Sequence, residues 1–382
     1  MSPTETLSNL TTIHEKVKQG KRLSAEEGLQ LLTSHDLLSL GGMADQVRRR
    51  LHGDLAYFIV NTHLNYTNVC ALGCKLCAFG VPRNDETAYT LPLEEIRTQI
   101  VKKVTPEITE LHIVGGVNPA LPLSYYESMI QIAREYRPDL HIQAFTAVEI
   151  DYLARIHQVE IGELLKRLQY AGLGSILGGG AEIFAPEIRR IIAGHKTDAK
   201  RWFFIHRTAH KLGIRSNASI LYGHIEQPKH VVDHLLQIRS LQDETGGFDA
   251  FFGFAFHPDH TRLAQEYPSI PEATSGVYDL KILATARLLL DNVPHIRAFW
   301  IMIGKKLAQI SLHFGVDDLD GTVVEEQIVR AAGAKGQQML PPASFLHMIR
   351  EAGRTPVERD TMYRILRRYN RETTTDTEPT KG

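Results

Sequence analysis

Short apolar or β-branched runs that alternate with longer amphipathic stretches limit what this chain can fold into more than any other feature. The runs are 57–60, 111–114, 141–145, 175–177, 218–221, 251–254 and 298–302. Helix-like segments such as 125–136, 199–212 and 230–245 lie between them. Strands that alternate with helices indicate a parallel sheet. With an eighth strand near 316–319, the pattern predicts an α/β fold, a (β/α)8 TIM-type barrel, and a doubly wound open sheet is the alternative.

The flanking regions are predicted to differ from this barrel, which we place at 53–320. Leucine-rich residues 1–52 predict an N-terminal helical extension, in which Ser24 and Glu27 fit a capping box and Gly41-Gly42 would interrupt a helix. Residues 321–371 are predicted to form a C-terminal helical segment. The polar residues 372–382 cannot bury a core, so a disordered tail is expected there.

Composition excludes several classes of protein. The 382 residues are 43% hydrophobic and 23% charged, which is ordinary for a globular chain. The formal net charge of -1 argues against a nucleic-acid partner, which would call for a Lys/Arg excess. No apolar run reaches the roughly 18 residues of a membrane span, and the first residues lack the features of a secretory signal. We therefore expect a cytoplasmic protein without a membrane span.

The cysteines point to a metal. All three lie within eight positions as Cys70-x3-Cys74-x2-Cys77, which is not a disulfide framework. Structural zinc usually takes four ligands, and His63 could supply the fourth. A [4Fe–4S] cluster normally takes four thiolates, so three would leave one iron open to another ligand. Three buried, inert cysteines are the remaining structural interpretation.

This cysteine motif, followed by Ala78-Phe79 after the first predicted strand, resembles the radical S-adenosylmethionine (SAM) superfamily. Gly115-Gly116 stands where the glycine motif of that superfamily meets the methionyl amino group. The string Ser219-x-Leu221-x-Gly223-x-x-Glu226 resembles its fifth-strand motif near the adenine, with Ser219 where glycine is usual. The resemblance implies a [4Fe–4S] cluster on the three cysteines, with SAM bound at the open iron.

Longer strings resemble the aminofutalosine synthases, which belong to the futalosine route to menaquinone. The strings are 61–70, 111–116, 143–150, 178–184 and 317–322. The resemblance implies a transferase that adds the 5′-deoxyadenosyl radical to the double bond of 3-[(1-carboxyvinyl)oxy]benzoate. SAM would be a co-substrate, and a reductant not identified by the sequence would supply the electron. Dehypoxanthine futalosine cyclase and the deazaflavin-forming synthases share the cysteine motif and are the related alternatives.

Candidate site residues fall near the ends of the predicted strands, where barrel enzymes place their sites. Under the resemblance, the cofactor-binding candidates are Phe79 against adenine, Gly115 and Gly116, Glu182 for the ribose hydroxyls, and Glu226. Arginine suits the two substrate carboxylates because its planar fork binds a carboxylate bidentately. The substrate-binding candidates are accordingly Arg83 and Arg215, together with Asn118 and Asn217. His63 and His257 are the catalytic candidates, as hydrogen-bond donors to a carboxylate or a ketyl oxygen.

Several other positions share this location without an assigned partner: Asn65, Thr146, Glu149, Tyr222 and Trp300. Two functions from other classes stay open at this point. One is a barrel hydrolase with a cysteine-rich zinc site, and the other is an iron–sulfur electron carrier or binding protein without turnover.

Overall fold

A curled, mostly parallel sheet forms the centre of the protein. The computed structural model describes residues 3–322, 327–333 and 339–370. The strands are β1 (Leu55–Ile59), β2 (Asn61–Leu64), β3 (Glu110–Ile113), β4 (His141–Thr146), β5 (Ser175–Leu177), β6 (Arg215–Tyr222), β7 (Phe248–Ala255), β8 (His295–Ala298), β9 (Asp318–Gly321), β10 (Thr355–Arg359) and β11 (Ile365–Arg368).

One almost continuous stretch of chain closes this sheet into a barrel. Strands β1 and β2 are separated by Val60 alone, and β1 pairs with β9 while β2 pairs with β3. Thr322 spans the break, since its N–H donates to the Ile59 carbonyl at 3.1 Å and its hydroxyl donates to the Asn61 carbonyl at 2.9 Å. With β1 and β2 counted as one strand, β3 to β9 complete a parallel (β/α)8 barrel, which confirms the predicted fold class.

Helices cover the outside of the barrel and its N-terminal side. They are α1 (Pro3–Lys18), α2 (Ala25–Thr33), α3 (Leu37–His52), α4 (Leu93–Lys103), α5 (Leu123–Tyr136), α6 (Ala147–Ile156), α7 (Ile161–Ala171), α8 (Pro186–Ala193), α9 (Ala199–Lys211), α10 (Pro228–Thr245), α11 (Arg262–Glu266), α12 (Gly276–Leu289), α13 (Trp300–Ile303), α14 (Lys305–Ser311), α15 (Ile328–Ala331) and α16 (Pro342–Glu351). Within the described ranges, none of these helices is both long enough and apolar enough to cross a membrane.

Two predicted elements are wrong in position or type. The run 298–302 is not a strand, because β8 ends at Ala298 and α13 begins at Trp300. The segment 321–371 is not helical throughout, because β10 and β11 follow α16. Strand β10 lies parallel to β1, with Leu55 opposite Thr355, and β11 turns back antiparallel to β10. The free edge of β1 supplies hydrogen bonds for this strand, a long-range partner that local sequence periodicity does not reveal. The tail predicted at 372–382 lies outside the described residues.

The N-terminal region is helical as predicted. Ser24 caps α2, and both hydrogen bonds of the capping box with Glu27 are present. The glycine pair does not interrupt a helix, however, because Gly41 and Gly42 lie inside α3. A β-carbon built on Gly41 would stand 2.6 Å from the Phe314 ring, whereas one on Gly42 would have no atom within 4 Å. Gly41 therefore lets α3 pack closely against the barrel.

This difference gives a matched pair of substitutions within one helix. Gly42→Ala should stabilise the protein by about 0.5–1 kcal/mol, because alanine loses less backbone entropy than glycine in a helix interior. Gly41→Ala should destabilise it despite the same gain, since the new methyl group would overlap the Phe314 ring. Thermal unfolding midpoints of the two variants should therefore move in opposite directions. A rise in both midpoints would show that Phe314 moves aside at little cost.

Candidate functional site

The three cysteines lie in the long loop that follows β2, at the carboxyl end of the barrel. Backbone hydrogen bonds hold this loop on both sides: Ala71 N–H donates to the Val117 carbonyl at 2.9 Å, and Lys75 N–H donates to the Ile192 carbonyl at 2.9 Å. The loop is thus fastened to the segment after β3 and to α8. These backbone contacts position the segment that carries Cys70, Cys74 and Cys77.

Gly80 lies directly against two of the sulfur atoms. A β-carbon there would come within 3.5 Å of Cys70 Sγ and 3.8 Å of Cys77 Sγ, and within 2.9 Å of the Cys70 β-carbon. The Gly80 N–H points at Cys77 Sγ at 3.4 Å. A backbone donor aimed at a sulfur suits a thiolate acceptor, and the missing side chain leaves space beside the sulfurs.

The three sulfur atoms do not all lie within 4.8 Å of one another, which does not match the ligand set of a single zinc ion. Tetrahedral thiolate ligands of one zinc lie about 3.8 Å from one another. Among the described residues, one group of His, Cys, Asp or Glu ligand atoms lies mutually within 4.8 Å, namely His52, His295 and Asp317, and it contains no cysteine. Asp317 there is paired with Arg287, so that group is an ion-pair network. His63 lies inside the barrel and does not complete a Cys3His site.

Three thiols and no fourth cysteine fit a [4Fe–4S] cluster with one open iron. Burial raises the pKa of the Cys74 thiol to about 11 and also raises the pKa of Cys77. The Lys196 ammonium acts in the opposite direction on both thiols. Cationic iron would favour the thiolate form much more strongly, because a coordinating thiol is deprotonated by its metal.

Gly115 and Gly116 are needed by the cysteine loop itself. A β-carbon on Gly116 would come within 2.3 Å of the Val69 carbonyl oxygen, and one on Gly115 within 2.8 Å of the Tyr66 ring. The Gly116 N–H donates to the Thr67 carbonyl at 2.8 Å. Both glycines also line the cavity described below. Their first role in this structure is therefore close backbone packing, and contact with a ligand stays a prediction.

Glu149 ties the glycine pair to α6. Its carboxylate completes a capping box with Thr146, accepting the Thr146 N–H at 2.7 Å. It also accepts the Tyr66 hydroxyl at 2.9 Å and the Gly115 N–H at 3.2 Å. Burial raises the pKa of Glu149 above its ordinary value, although these hydrogen bonds act in the opposite direction. Glu149 is fully engaged within the protein, so it positions the loop.

Glu182 forms a buried ion pair with Lys196, close to the cysteines. Burial opposes the ionisation of Glu182, but the Lys196 ammonium more than compensates, so the pKa of Glu182 is lowered. Both side chains line the cavity. Sequence reasoning selected Glu182 and missed Lys196, which lies between α8 and α9 with no motif around it.

One cavity of about 300 Å³ connects the cysteine loop with the inside of the barrel. Its open end contains the three cysteines, Phe79 and the two glycine motifs, 115–116 and 178–180. Aromatic rings of the β7–β8 side line one wall, including Phe252, Phe254 and Phe299. The inner end, which we call the floor, consists of His63, Glu110, His112, Gln143, Arg297 and Asp320.

The floor is polar although it lies within the barrel. His63 stacks on His112 with ring centroids 4.2 Å apart. Burial lowers the pKa of His63 well below its ordinary value and that of His112 to about 4, so both rings are neutral. Burial also raises the pKa of Asp320 to about 6. Polar side chains at the centre of a barrel cost stability, which favours a ligand-binding role for them.

The predicted catalytic and cofactor residues divide into two sets. His63, His257, Phe79 and Glu182 line the cavity, and His257 Nε2 lies 3.2 Å from the Met302 carbonyl oxygen. Glu226 does not line it. The Glu226 carboxylate accepts the N–H groups of Gly223 at 2.6 Å and His224 at 2.9 Å, so it shapes the turn after β6. Its predicted contact with the cofactor is not supported.

The predicted substrate residues largely lie elsewhere. Arg215 begins β6 at the opposite end of the barrel and pairs with Asp249, so it is removed from the site. Arg83 is exposed and outside the cavity lining. The Asn118 side-chain N–H donates a hydrogen bond to the Thr90 hydroxyl at 3.0 Å, which joins two loops. Only Asn217 lines the cavity, where its side-chain oxygen accepts the Gly178 N–H at 2.7 Å.

Two further candidates have structural roles. Trp300 is buried and donates its indole N–H to the Gly321 carbonyl at 2.9 Å. The Asn65 side-chain N–H donates a hydrogen bond to the Val114 carbonyl at 3.0 Å. Arg297, the arginine that does line the cavity, was missed because it was assigned to no strand and no motif surrounds it.

Comparisons with known proteins agree with this geometry. The family model of the Radical SAM superfamily matches residues 64–238, and that of the CofH/MqnC C-terminal region matches residues 245–372. The chain is 44% identical over 362 residues to aminodeoxyfutalosine synthase of Thermus thermophilus, covering 95% of this chain and 97% of that protein. It is 42% identical to the enzyme of that name from Streptomyces coelicolor, covering 94% of each.

More distant proteins share the fold. The 5-amino-6-(D-ribitylamino)uracil–L-tyrosine 4-hydroxyphenyl transferase of Methanopyrus kandleri is 36% identical and covers 85% of this chain and 88% of its own length. The crystal structure of HydG, a maturase of the [FeFe]-hydrogenase, superposes with a TM-score of 0.71 at 17% identity. That superposition covers 92% of this chain and 76% of HydG.

The packing of Gly116 can be tested through metal content. Gly116→Ala should reduce the iron and sulfide bound after anaerobic reconstitution several-fold, because its methyl group would push the Val69 backbone and the cysteine loop outward. Gly162→Ala in α7 is the matched control, since its β-carbon would make only an ordinary 3.8 Å contact. Equal iron content in the two variants would refute the role of Gly116 in holding the loop.

Proposed function

The chain belongs to the aminodeoxyfutalosine synthase family of the radical SAM superfamily, and from this membership we propose that its substrate is 3-[(1-carboxyvinyl)oxy]benzoate. Membership establishes a radical SAM enzyme of the futalosine pathway, with a [4Fe–4S] cluster and SAM. The observation that carries the proposal is a cavity that joins the three thiols to an aromatic-walled barrel interior.

Cys70, Cys74 and Cys77 would hold the cluster, which when bound would supply the electron for the reductive cleavage of SAM to methionine and a 5′-deoxyadenosyl radical. We assign the open end of the cavity to SAM. Phe79 would lie against the adenine, Glu182 would accept the ribose hydroxyls, and the 115–116 backbone would meet the methionyl group. The ion pair with Lys196 supports this role for Glu182, because it holds the carboxylate ionised as an acceptor.

The inner part of the cavity suits an aryl ether. Phe252, Phe254 and Phe299 offer ring faces and edges to a benzoate ring. The apolar wall also excludes water, which protects a radical from side reactions. A ring bound there would place the enolpyruvyl double bond towards the cysteine loop, where the 5′ carbon of SAM must lie. Addition of the 5′ radical to the double bond, migration of the aryl group from oxygen to carbon, and loss of the carboxylate as carbon dioxide would then give the adenosyl ketone, with the one remaining electron passed back to the oxidised cluster.

The electron donor and the location complete the proposal. A small-molecule or protein reductant must reach the cluster, and we leave its identity open. We place the enzyme in the cytoplasm, because clustered free thiols need a reducing compartment.

An anaerobic assay with SAM, dithionite and 3-[(1-carboxyvinyl)oxy]benzoate tests the substrate. We expect a product that contains the adenosyl group, methionine, and little free 5′-deoxyadenosine. The cyclase alternative predicts the opposite, since hydrogen abstraction would release 5′-deoxyadenosine. Methionine and 5′-deoxyadenosine without an adduct would contradict the proposed substrate and retain the radical chemistry.

The ligand assignment has its own test. Each of the variants Cys70→Ser, Cys74→Ser and Cys77→Ser should lose the visible absorbance of the cluster, and its turnover should fall at least 100-fold. The reason is that the chain has three cysteines, so no further thiolate can replace the one removed. Ser311→Ala provides a matched control, since this buried hydroxyl donates a hydrogen bond to the Ala308 carbonyl at 2.6 Å. Ser311 does not line the cavity. A cysteine variant with normal iron content and turnover would be removed from the ligand set.

A further inference from the structure

The floor of the cavity contains buried polar atoms that the protein itself leaves unpaired. Both ring nitrogens of His63 and the Oε2 atom of Glu110 have no hydrogen-bond partner among the described residues. His63 is 4% exposed and Glu110 is 2% exposed. Buried polar groups in proteins are almost always paired, so the unpaired His63 nitrogens indicate the position of a ligand, whereas the unpaired Glu110 oxygen calls for a hydrogen-bond donor rather than an anion.

Arg297 presents a free edge at the same place. Its Nε–H donates to the Tyr363 hydroxyl at 2.6 Å, and its Nη1 lies 3.5 Å from Asp320 Oδ1. The guanidinium also lies over the Phe252 ring, 4.7 Å from the centroid. No hydrogen bond from Nη2 to the described part of the chain is present. The side chain is thus held rigidly from three sides, with two N–H donors left for a ligand.

Three acids surround Arg297, but none of them forms a hydrogen bond with its Nη2 atom. Asp318 is bound by Arg359 at 2.6 Å and lies 3.6 Å from Arg297. Asp320 is the nearer acid at the Nη1 edge, and with a pKa raised to about 6 by burial it is still mostly ionised at neutral pH. The Oε1 atom of Glu110 accepts a hydrogen bond from the Asn61 side-chain N–H at 3.0 Å. The Nη2 edge is therefore the one side of the guanidinium at which an anion could bind, and the surrounding negative charge disfavours a second anion.

From these contacts we propose that Arg297 and His63 bind the carboxylate on the benzoate ring of the substrate. Arg297 would donate from Nη2, and the neutral His63 ring would donate one N–H to the same carboxylate. Arg297 therefore takes the role that the sequence assigned to Arg215. This inference rests on the proposed function, since it names the group that holds that substrate.

The direction of the substrate follows from the depth of these residues. His63 and Arg297 are buried and line the cavity from within β2 and β8, so they lie inside the barrel. The cysteines lie beyond the end of β2. A ring carboxylate on the floor therefore points the enolpyruvyl end at the open end, where the radical forms. The second carboxylate, which is lost in the reaction, stays away from the acids of the floor.

Binding of simple ring probes tests the floor without turnover. We would titrate 3-hydroxybenzoate and 3-hydroxybenzamide into the anaerobically reconstituted enzyme by calorimetry. The wild type should bind the acid roughly 30- to 100-fold more tightly, because a charge-assisted pair with arginine is lost in the amide. Arg297→Gln should reduce this ratio to within about threefold, and Arg297→Lys should give an intermediate ratio, since lysine keeps the charge and loses the fork.

Two variants control this comparison. Arg215→Gln should keep the wild-type ratio, because that arginine lies at the opposite end of the barrel. His63→Phe removes the second donor and should reduce the ratio about threefold to tenfold. It remains informative if Arg297→Gln does not fold, since it removes no charge.

The outcomes separate this inference from the proposed function. Equal binding of acid and amide by the wild type, or an unchanged ratio in Arg297→Gln, would overturn the assignment of the floor while product formation still stood. A wild type that prefers the acid but makes no adenosyl adduct would overturn the proposed substrate and retain the carboxylate site.

Discussion

The site depends on the close contact between two stretches of backbone, the start of the cysteine loop and the Gly115-Gly116 pair. The Gly116 N–H donates a hydrogen bond to the Thr67 carbonyl. A β-carbon on Gly116 would come within 2.3 Å of the Val69 carbonyl oxygen, so there is no space for a side chain at this position. The loop has little regular structure of its own. Its position is set by this contact, by Glu149, and by the end of α8.

The barrel interior reverses the usual distribution of polarity. Most barrels fill their centre with branched apolar side chains, whereas here histidines, acids and an arginine surround a cavity. The C-terminal hairpin helps to stabilise this arrangement, because Tyr363 holds Arg297 and Arg359 holds Asp318. That hairpin lies in the part of the chain that matches the CofH/MqnC C-terminal region. It thus joins a family-specific segment to the proposed substrate end of the cavity.

The sequence predicted those parts of the structure that local patterns determine. Alternating runs located most strands, and the cysteine spacing located the metal loop. Local sequence patterns could not predict the features that depend on long-range contacts. Glycine is needed at position 41 of α3 because a side chain would overlap Phe314, and Arg215 lies at the wrong end because β6 begins earlier than its apolar core suggests. Lys196 and Arg297 have no motif around them and became visible only through the cavity that they line.

The central claim is that the adenosyl group formed at the cysteine loop is joined covalently to a ring held on the floor. The most direct test is a single-turnover reaction with SAM labelled with ¹³C at the 5′ carbon, followed by NMR of the products. The account predicts that the labelled carbon becomes a methylene bonded to carbon in the aryl-containing product. Recovery of the label as the methyl group of 5′-deoxyadenosine would contradict it.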